Sequence, residues 1–183
     1  MNKMNFTPFP TLWAERLCLR QITDRDLEEY FVLKSDERLL KGYDAKAKTY
    51  EESKQFLHKL NEGVRQNKWI IWGIVLKETD KLIGSICLWN ISEDQSSAEV
   101  GYELMYEWQG KGIMDEAIKE VIHYGFCEMK LRLIEALPNP DNIKSVRVLE
   151  KKHFVKGESF MDTDPENGKV LPRVFYLLKN DVE

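Results

Sequence analysis

A chain of 183 residues, 43% hydrophobic and 32% charged, has the length and apolar content for one domain with a proper core, and too much apolar content for a disordered segment. Its formal net charge of −4 gives no general attraction to nucleic acid or an anionic membrane, and no apolar run approaches the length of a membrane span. Met1 to Pro10 lacks the apolar centre of a signal peptide. Cys18, Cys87 and Cys127 are odd in number, far apart and set in apolar contexts, so they read as reduced, buried small hydrophobes. Together these features predict a cytoplasmic protein. With no repeat, linker or low-complexity segment, residues 1–183 are expected to form a single domain.

The predicted elements begin with a short strand inside Thr11 to Gln21, where Leu17 and Leu19 alternate with Arg16, Cys18 and Arg20. Thr23 or Asp24 caps a first helix with Leu27, Tyr30, Phe31 and Leu33 on its apolar face. Ser35 to Lys48 reads as polar and irregular beyond Leu39-Leu40. Thr49 or Tyr50 opens a second helix to about Asn67, with Phe56, Leu57, Leu60 and Val64 on one stripe. Trp69 to Leu76, Leu82 to Ile91 and the strand holding Glu99 follow, joined by the polar turns Glu78-Thr79-Asp80-Lys81 and Ser92 to Ser97. Short turns make these three an antiparallel meander.

The stretch from Glu99 to Met129 then changes period. Val100, Tyr102 and Leu104 alternate with Glu99, Gly101 and Glu103, which is a strand. Ile113, Ala117, Ile118, Val121, Ile122, Gly125, Phe126 and Met129 fall on one stripe of a long helix. Between them lies Gln109-Gly110-Lys111-Gly112. A helix start offers unpaired N–H groups and a positive dipole end, and glycines let a phosphate approach them. With Lys111 adding a cation, the loop reads either as a diphosphate cradle or as an ordinary strand–turn–helix corner. It is not a Walker loop, because only Lys111 separates the glycines. Nor is it a dinucleotide fingerprint, because Asp115 stands where the third glycine belongs.

Downstream, Leu131 to Leu137 is a strand, parallel to the Glu99 strand if the helix is a right-handed crossover. Pro138-Asn139-Pro140 stops it. Asp141 or Asn142 caps a short helix from Ile143 to about Lys152, and Phe154 to Phe160 and Val170 to Leu178 pair around an Asp162 to Lys169 turn.

Gln109-Gly110-Lys111-Gly112-Ile113-Met114 resembles the Q/R-x-x-G-x-G/A signature of the GNAT acetyltransferases, whose loop binds the pyrophosphate of acetyl-CoA. Gln109 and Gly112 match; Met114 stands where the family usually has Gly or Ala. The surroundings resemble the RimJ/RimL-type ribosomal-protein branch: E-R-L-C-L-R in the first strand, A-E-V-G-Y from Ala98 to Tyr102, and Glu116-Ala117 after the loop. Asn142 to Phe154 resembles the branch's N-x-x-S-x-R-V-L-E-K-x-G-F, with His153 in place of the usual Gly.

The resemblance spans about Leu12 to Leu178 and implies a mixed α/β fold. Its central sheet would be mostly antiparallel, with a splayed parallel pair at the acetyl-CoA site and flanking helices. It implies pyrophosphate contacts from Gln109, Gly110, Lys111, Gly112, Ile113 and Met114, and pantetheine contacts from Leu104, Met105, Asn142 and Ser145. Asn142 also reads simply as a helix cap. Acetyl transfer to an amine requires a base, oxyanion donors and an acid for the thiolate. Backbone N–H groups near Leu104 and Met105 are the expected donors, and Glu99 is the expected base, against the plainer reading of a solvated sheet carboxylate. Ser145 resembles the serine proposed as thiolate donor in RimL-type enzymes. Leu149 replaces the tyrosine acid of many relatives, and Tyr102, Glu103 and Tyr106 are weaker alternatives.

The expected partners are acetyl-CoA or CoA and an amine-bearing acceptor, with homodimer formation left open; nucleic acid and membrane are not expected. The acceptor implied by the branch is a protein N-terminal amine. A small amine or aminoglycoside is the next reading, and a non-catalytic acyl-CoA-binding module the opposing one. His58, His123 and His153 have no ligand spacing with each other or with the cysteines, so no metal is expected. Trp69, Trp72, Trp89 and Trp108 read as core and pocket walls, without the basic stripe of a nucleic-acid platform.

Overall fold

The computed structural model describes residues 4–43, 46–163 and 168–180, with backbone alone at 41–43. The first predicted strand is two: β1 (Leu12–Trp13) folds back on β2 (Leu17–Arg20), pairing Trp13 with Cys18. Thr23 opens a 3-10 turn, Asp24–Asp26, through a capping box with Asp26, and α1 (Leu27–Ser35) follows. A helix not expected from the sequence, α2 (Glu37–Tyr43), occupies part of the segment read as irregular. α3 (Tyr50–Arg65) starts where Thr49 accepts the Glu52 N–H and the Glu52 side chain accepts the Thr49 N–H. Then come β3 (Ile70–Leu76), β4 (Leu82–Trp89), β5 (Ser97–Leu104), α4 (Ile113–Cys127), β6 (Leu133–Ala136), α5 (Ile143–Lys151), β7 (Val155–Thr163) and β8 (Val170–Lys179). Asp162, expected to begin a turn to Lys169, belongs to β7, which runs on to Thr163; residues 164–167 lie outside the described residues.

One eight-stranded sheet has the order β1-β2-β3-β4-β5-β6-β8-β7. Every neighbour is antiparallel except β5 and β6. α4 packs on one face, where its stripe meets Trp72, Ile86, Leu88 and Val100 in the larger core. Tyr124 anchors it edge-on to Trp72, with ring centroids 5.3 Å apart. α1 and α3 cover part of the other face over Ile22, Val75 and Leu82. Burying such side chains contributes about 1.5–3 kcal/mol each, which overrides the modest helix propensity of so short an element as α1.

The parallel pair is brief. Ser97, Ala98 and Glu99 pair with Leu133, Ile134 and Glu135, and there the pairing ends. β5 continues to Leu104 against β4 alone, while β6 ends at Ala136 and the chain after it stays with β8, the Pro138 carbonyl accepting the Val174 N–H at 3.3 Å. The sheet is therefore forked from Glu99 onward, as the expected splayed pair requires. Among the cysteines, Cys18 is buried, Cys87 is half-buried, and Cys127 is exposed; the last corrects the expectation of three buried thiols, since Cys127 ends α4 at the surface. Among the described residues no helix is long and apolar enough to cross a membrane.

Candidate active site

A cavity of about 480 Å³ occupies the fork, within the usual size of a small-molecule site. Glu99, Gly101 and Glu103 line it together with Tyr102. Neighbouring strand residues point to opposite faces, so a cavity that touches both crosses the sheet at the open edge of β5.

Glu99 sits where the pairing stops. It is 9% exposed, so it is not a solvated surface carboxylate. Burial pushes its carboxyl up to about 7; Glu135 adds to the rise, while an Asn90 hydrogen bond and the Arg173 charge oppose it. Such a group exchanges a proton near neutral pH. Glu103 differs. It forms an ion pair with Lys34 and accepts from Ser85 Oγ at 2.8 Å, so its charge is already matched. Beside them burial pushes the Cys87 thiol up to about 12, keeping it neutral.

On the α5 side Tyr102 Oη lies 2.9 Å from Ser145 Oγ and donates to the Ser145 carbonyl at 3.2 Å. Burial pushes the Tyr102 phenol up to about 12, with the Ser145 hydrogen bond acting the other way. Asn142 lines the same cavity. Its side chain accepts the Ser145 N–H at 3.2 Å and so caps α5, the plainer of its two readings. Tyr106 stands apart, half exposed beneath the cations of Arg38 and Lys144.

Leu104 and Met105 do not behave as a pair. The Met105 N–H donates to the Ile83 carbonyl at 2.8 Å, so it faces β4. Because strand polar groups alternate from side to side, the N–H groups of Val100, Tyr102 and Leu104 face the fork instead. The expectation that Met105 supplies an oxyanion donor is corrected: that donor is spent on β4.

The cradle lies beyond the cavity wall; none of Gln109 to Met114 lines the cavity. Gln109 works inward, donating from Nε2 to the Leu104 carbonyl at 3.0 Å and accepting from Lys144 Nζ at 2.8 Å. Gly110 and Gly112 both have φ of +75°, the left-handed region that favours glycine, and Gly112 is the N-cap of α4. A side chain at Gly110 would meet nothing within 4 Å, and one at Gly112 only Arg16 Nη2 at 3.5 Å, so the space above the loop is open. Ile113 and Met114 bury their side chains in the core and offer the loop only backbone. Lys111 holds its ammonium 4.8 Å from the Trp108 ring centroid. This open, cation-flanked helix start fits a diphosphate, and the free edge of β5 joins it to the cavity. Lys151 and Lys152, by contrast, pair with Asp115 in the first turn of α4 at 3.2 and 2.9 Å.

Arg16 is a contact that sequence reading missed. Its Nε reaches Glu116 at 2.8 Å and its Nη1 donates to the Lys111 carbonyl at 3.1 Å, tying the loop before β2 to the cradle. Both partners stand in motifs that the sequence had singled out, E-R-L-C-L-R and Glu116-Ala117, but nothing in their spacing joins them. Trp89 lines the cavity, as its reading among core and pocket walls expected, and Lys34 and Arg173 line it without having been assigned to the site. Among the described residues, no three His, Cys, Asp or Glu side chains converge as metal ligands.

The family profile described as an acetyltransferase (GNAT) domain matches residues 16–155. The chain belongs to the GNAT acetyltransferase family. It is 34% identical over 149 residues to YoaA of Bacillus subtilis, described as an uncharacterized N-acetyltransferase, covering 81% of this chain and 84% of that one. Among solved structures it is similar to a ribosomal-protein-S5-alanine acetyltransferase from Vibrio fischeri, with TM-score 0.80, 28% identity and coverage of 94% and 97%. RimL, a ribosomal L7/L12 N-acetyltransferase solved with coenzyme A, shares the fold at TM-score 0.81 and 18% identity, covering 95% of this chain and all of that one. GNAT relatives thus bind CoA at this fold, and this GNAT chain is an N-acetyltransferase.

Proposed function

We propose that the protein, acting as one domain, moves the acetyl group of acetyl-CoA to a primary amine at the fork, with Glu99 as base and the Tyr102–Ser145 pair as acid. The observation that carries this reading is the pairing of opposites across one cavity: a buried carboxylate that titrates near neutrality on one side and a linked pair of hydroxyls on the other. Acetyl-CoA supplies an acyl group activated as a thioester. The residues suited to hold it are Gly110, Lys111 and Gly112 with the first N–H groups of α4 for the diphosphate, and the β5 edge through Leu104 for the pantetheine arm.

In this reading Glu99 takes one proton from the ammonium of the acceptor, leaving a lone pair on nitrogen. The N–C bond forms and the C–S bond breaks. The Ser145 hydroxyl, backed by Tyr102, gives a proton to the departing sulfur and regains one from the nitrogen. The proton on Glu99 then leaves to solvent, so the net change is one amide, one thiol and one released proton.

A protein N-terminal amine is the acceptor suggested by the ribosomal relatives. The charges on the cavity wall favour a second reading, a small amine: Lys34, Lys59 and Arg173 stand against Glu99 and Glu103, which suits neither a polyamine nor a basic peptide. A CoA-release assay with N-terminal peptides and small amines in parallel tests both. Release with no amine of either kind would refute the proposed transfer reaction for this site.

A further inference from the structure

The acceptor side of the cavity carries more than a base for an amine needs. Trp89 lies directly across from Glu99 in the β4–β5 register and stays 45% exposed. A side chain on Gly101 would lie 3.5 Å from its Nε1 and 3.2 Å from Cys87 Sγ, so the bare glycine lets the cavity run up to the indole. Arg173 comes from the other arm of the fork. Glu99 pairs with Glu135, and Glu135 with Leu177. Counting by twos along β8 places Phe175 and Arg173 on the face of Glu99.

The charges do not cancel there. Lys34 is matched by Glu103. Among the described residues the ion-pair partner of Arg173 is Asp162, half exposed and 3.9 Å from Nε, at the outer limit of such a contact. Lys59, exposed at the rim, adds a second cation. Once Glu99 holds a proton, the wall is net positive.

On the reading that Glu99 receives the amine proton, we infer that the acceptor is a small amine that also bears an oxyanion, a carboxylate or a phosphate, with Arg173 binding the oxyanion and Trp89 its body. A planar guanidinium matches either oxyanion with two parallel hydrogen bonds, and in a half-buried cavity such a pair is stronger than at the open surface. The indole face offers an aromatic or aliphatic body a flat surface. A polyamine would instead bring its second charge against Arg173, Lys34 and Lys59.

Matched acceptors test this by CoA release: phenylalanine against phenylalaninamide, phosphoethanolamine against ethanolamine, and spermidine. A charged hydrogen-bonded pair is worth about 1.5–3 kcal/mol, roughly ten- to a hundredfold. The anionic member of at least one matched pair should therefore lead by that factor in kcat/KM, mostly through KM, with spermidine poorest; which pair leads tells carboxylate from phosphate. In Arg173→Met the anionic and neutral members should come within about threefold, and Arg173→Lys should keep part of the preference. Retained thermal protection by acetyl-CoA shows that each variant is folded. If the methionine variant does not fold, the wild-type ratios and the lysine variant decide. Neutral amines used as well as anionic ones, or a preference that survives Arg173→Met, overturns the inference alone. No release from any amine overturns it together with the acetyl-transfer reading.

Discussion

Replacing Glu99 by glutamine sets activity against stability, and both can be worked from one carboxyl. Its pKa stands at about 7 against an ordinary 4.5. At about 1.4 kcal/mol per unit, holding the ionised form in the fold costs about 3 kcal/mol. The sign follows from proton counts: between those two values the folded chain holds a proton that the unfolded chain has lost, so stability falls as pH rises through the window. Glutamine keeps the shape and the Asn90 hydrogen bond but cannot ionise. Glu99→Gln should therefore match wild type near pH 4.5 and gain on it up to about pH 7. For a chain this long each kcal/mol moves Tm by about 2–4 °C, so about 3 kcal/mol should open a gap of roughly 6–12 °C at neutral pH. Turnover should move the other way. Loss of a general base lowers rate roughly a hundred- to ten-thousandfold. The wild-type pH–rate limb near 7 should vanish, and the deficit should shrink at high pH as more amine is already neutral. Differential scanning fluorimetry and CoA release across pH 5–9 read both effects. A variant with wild-type rates and the same limb would refute the base assignment, and a Tm gap that does not grow with pH would refute the buried, ionising carboxylate.

CoA and acetyl-CoA should raise Tm more than ATP or NAD at equal concentration, and Gly112→Val should abolish that difference. Because Gly112 has φ of +75°, valine there should also lower the Tm of the free protein, so CoA affinity by calorimetry on the folded fraction is the deciding measurement. Ser145→Ala and Tyr102→Phe should each lower kcat with KM for acetyl-CoA nearly unchanged, and the double variant should lose less than the product of the two, since the hydroxyls lie 2.9 Å apart; strictly multiplicative losses would show separate roles. His153 holds φ of +64°, a region where a non-glycine residue costs about 1–2 kcal/mol. His153→Gly should raise stability by up to about 1 kcal/mol after glycine's own entropy loss, read as a denaturant midpoint; a lower midpoint would mean that the imidazole contributes contacts.

What was legible in the chain was local. The change from period two to period 3.6 across Glu99 to Met129 marks β5 and α4 because each buries one continuous face. Thr49 and Asn142 announce their helices because a cap is a contact of three residues' reach. α2 was missed because its apolar signal is little more than Leu39-Leu40, too few for a period. Alternation told which face Glu99 shares but not what covers that face, so its burial was out of reach. The Met105 hydrogen bond follows from the β4–β5 register, Gly84 opposite Leu104 and Ile83 opposite Met105, and alternation alone does not say which residues stand opposite. Arg16 and Arg173 reach the site from segments far along the chain from Glu99, and only the sheet order brings them there.

The three-residue seam between β5 and β6 has a mechanical meaning. It is where a five-strand half and a three-strand half of the sheet are stitched together, with α4 as the other tether. A ligand arm lying along the free edge of β5 would act as mortar in that joint, resisting its opening. Its stiffening should reach β6, β8 and β7, strands that need never touch it, and should appear there as slowed amide exchange.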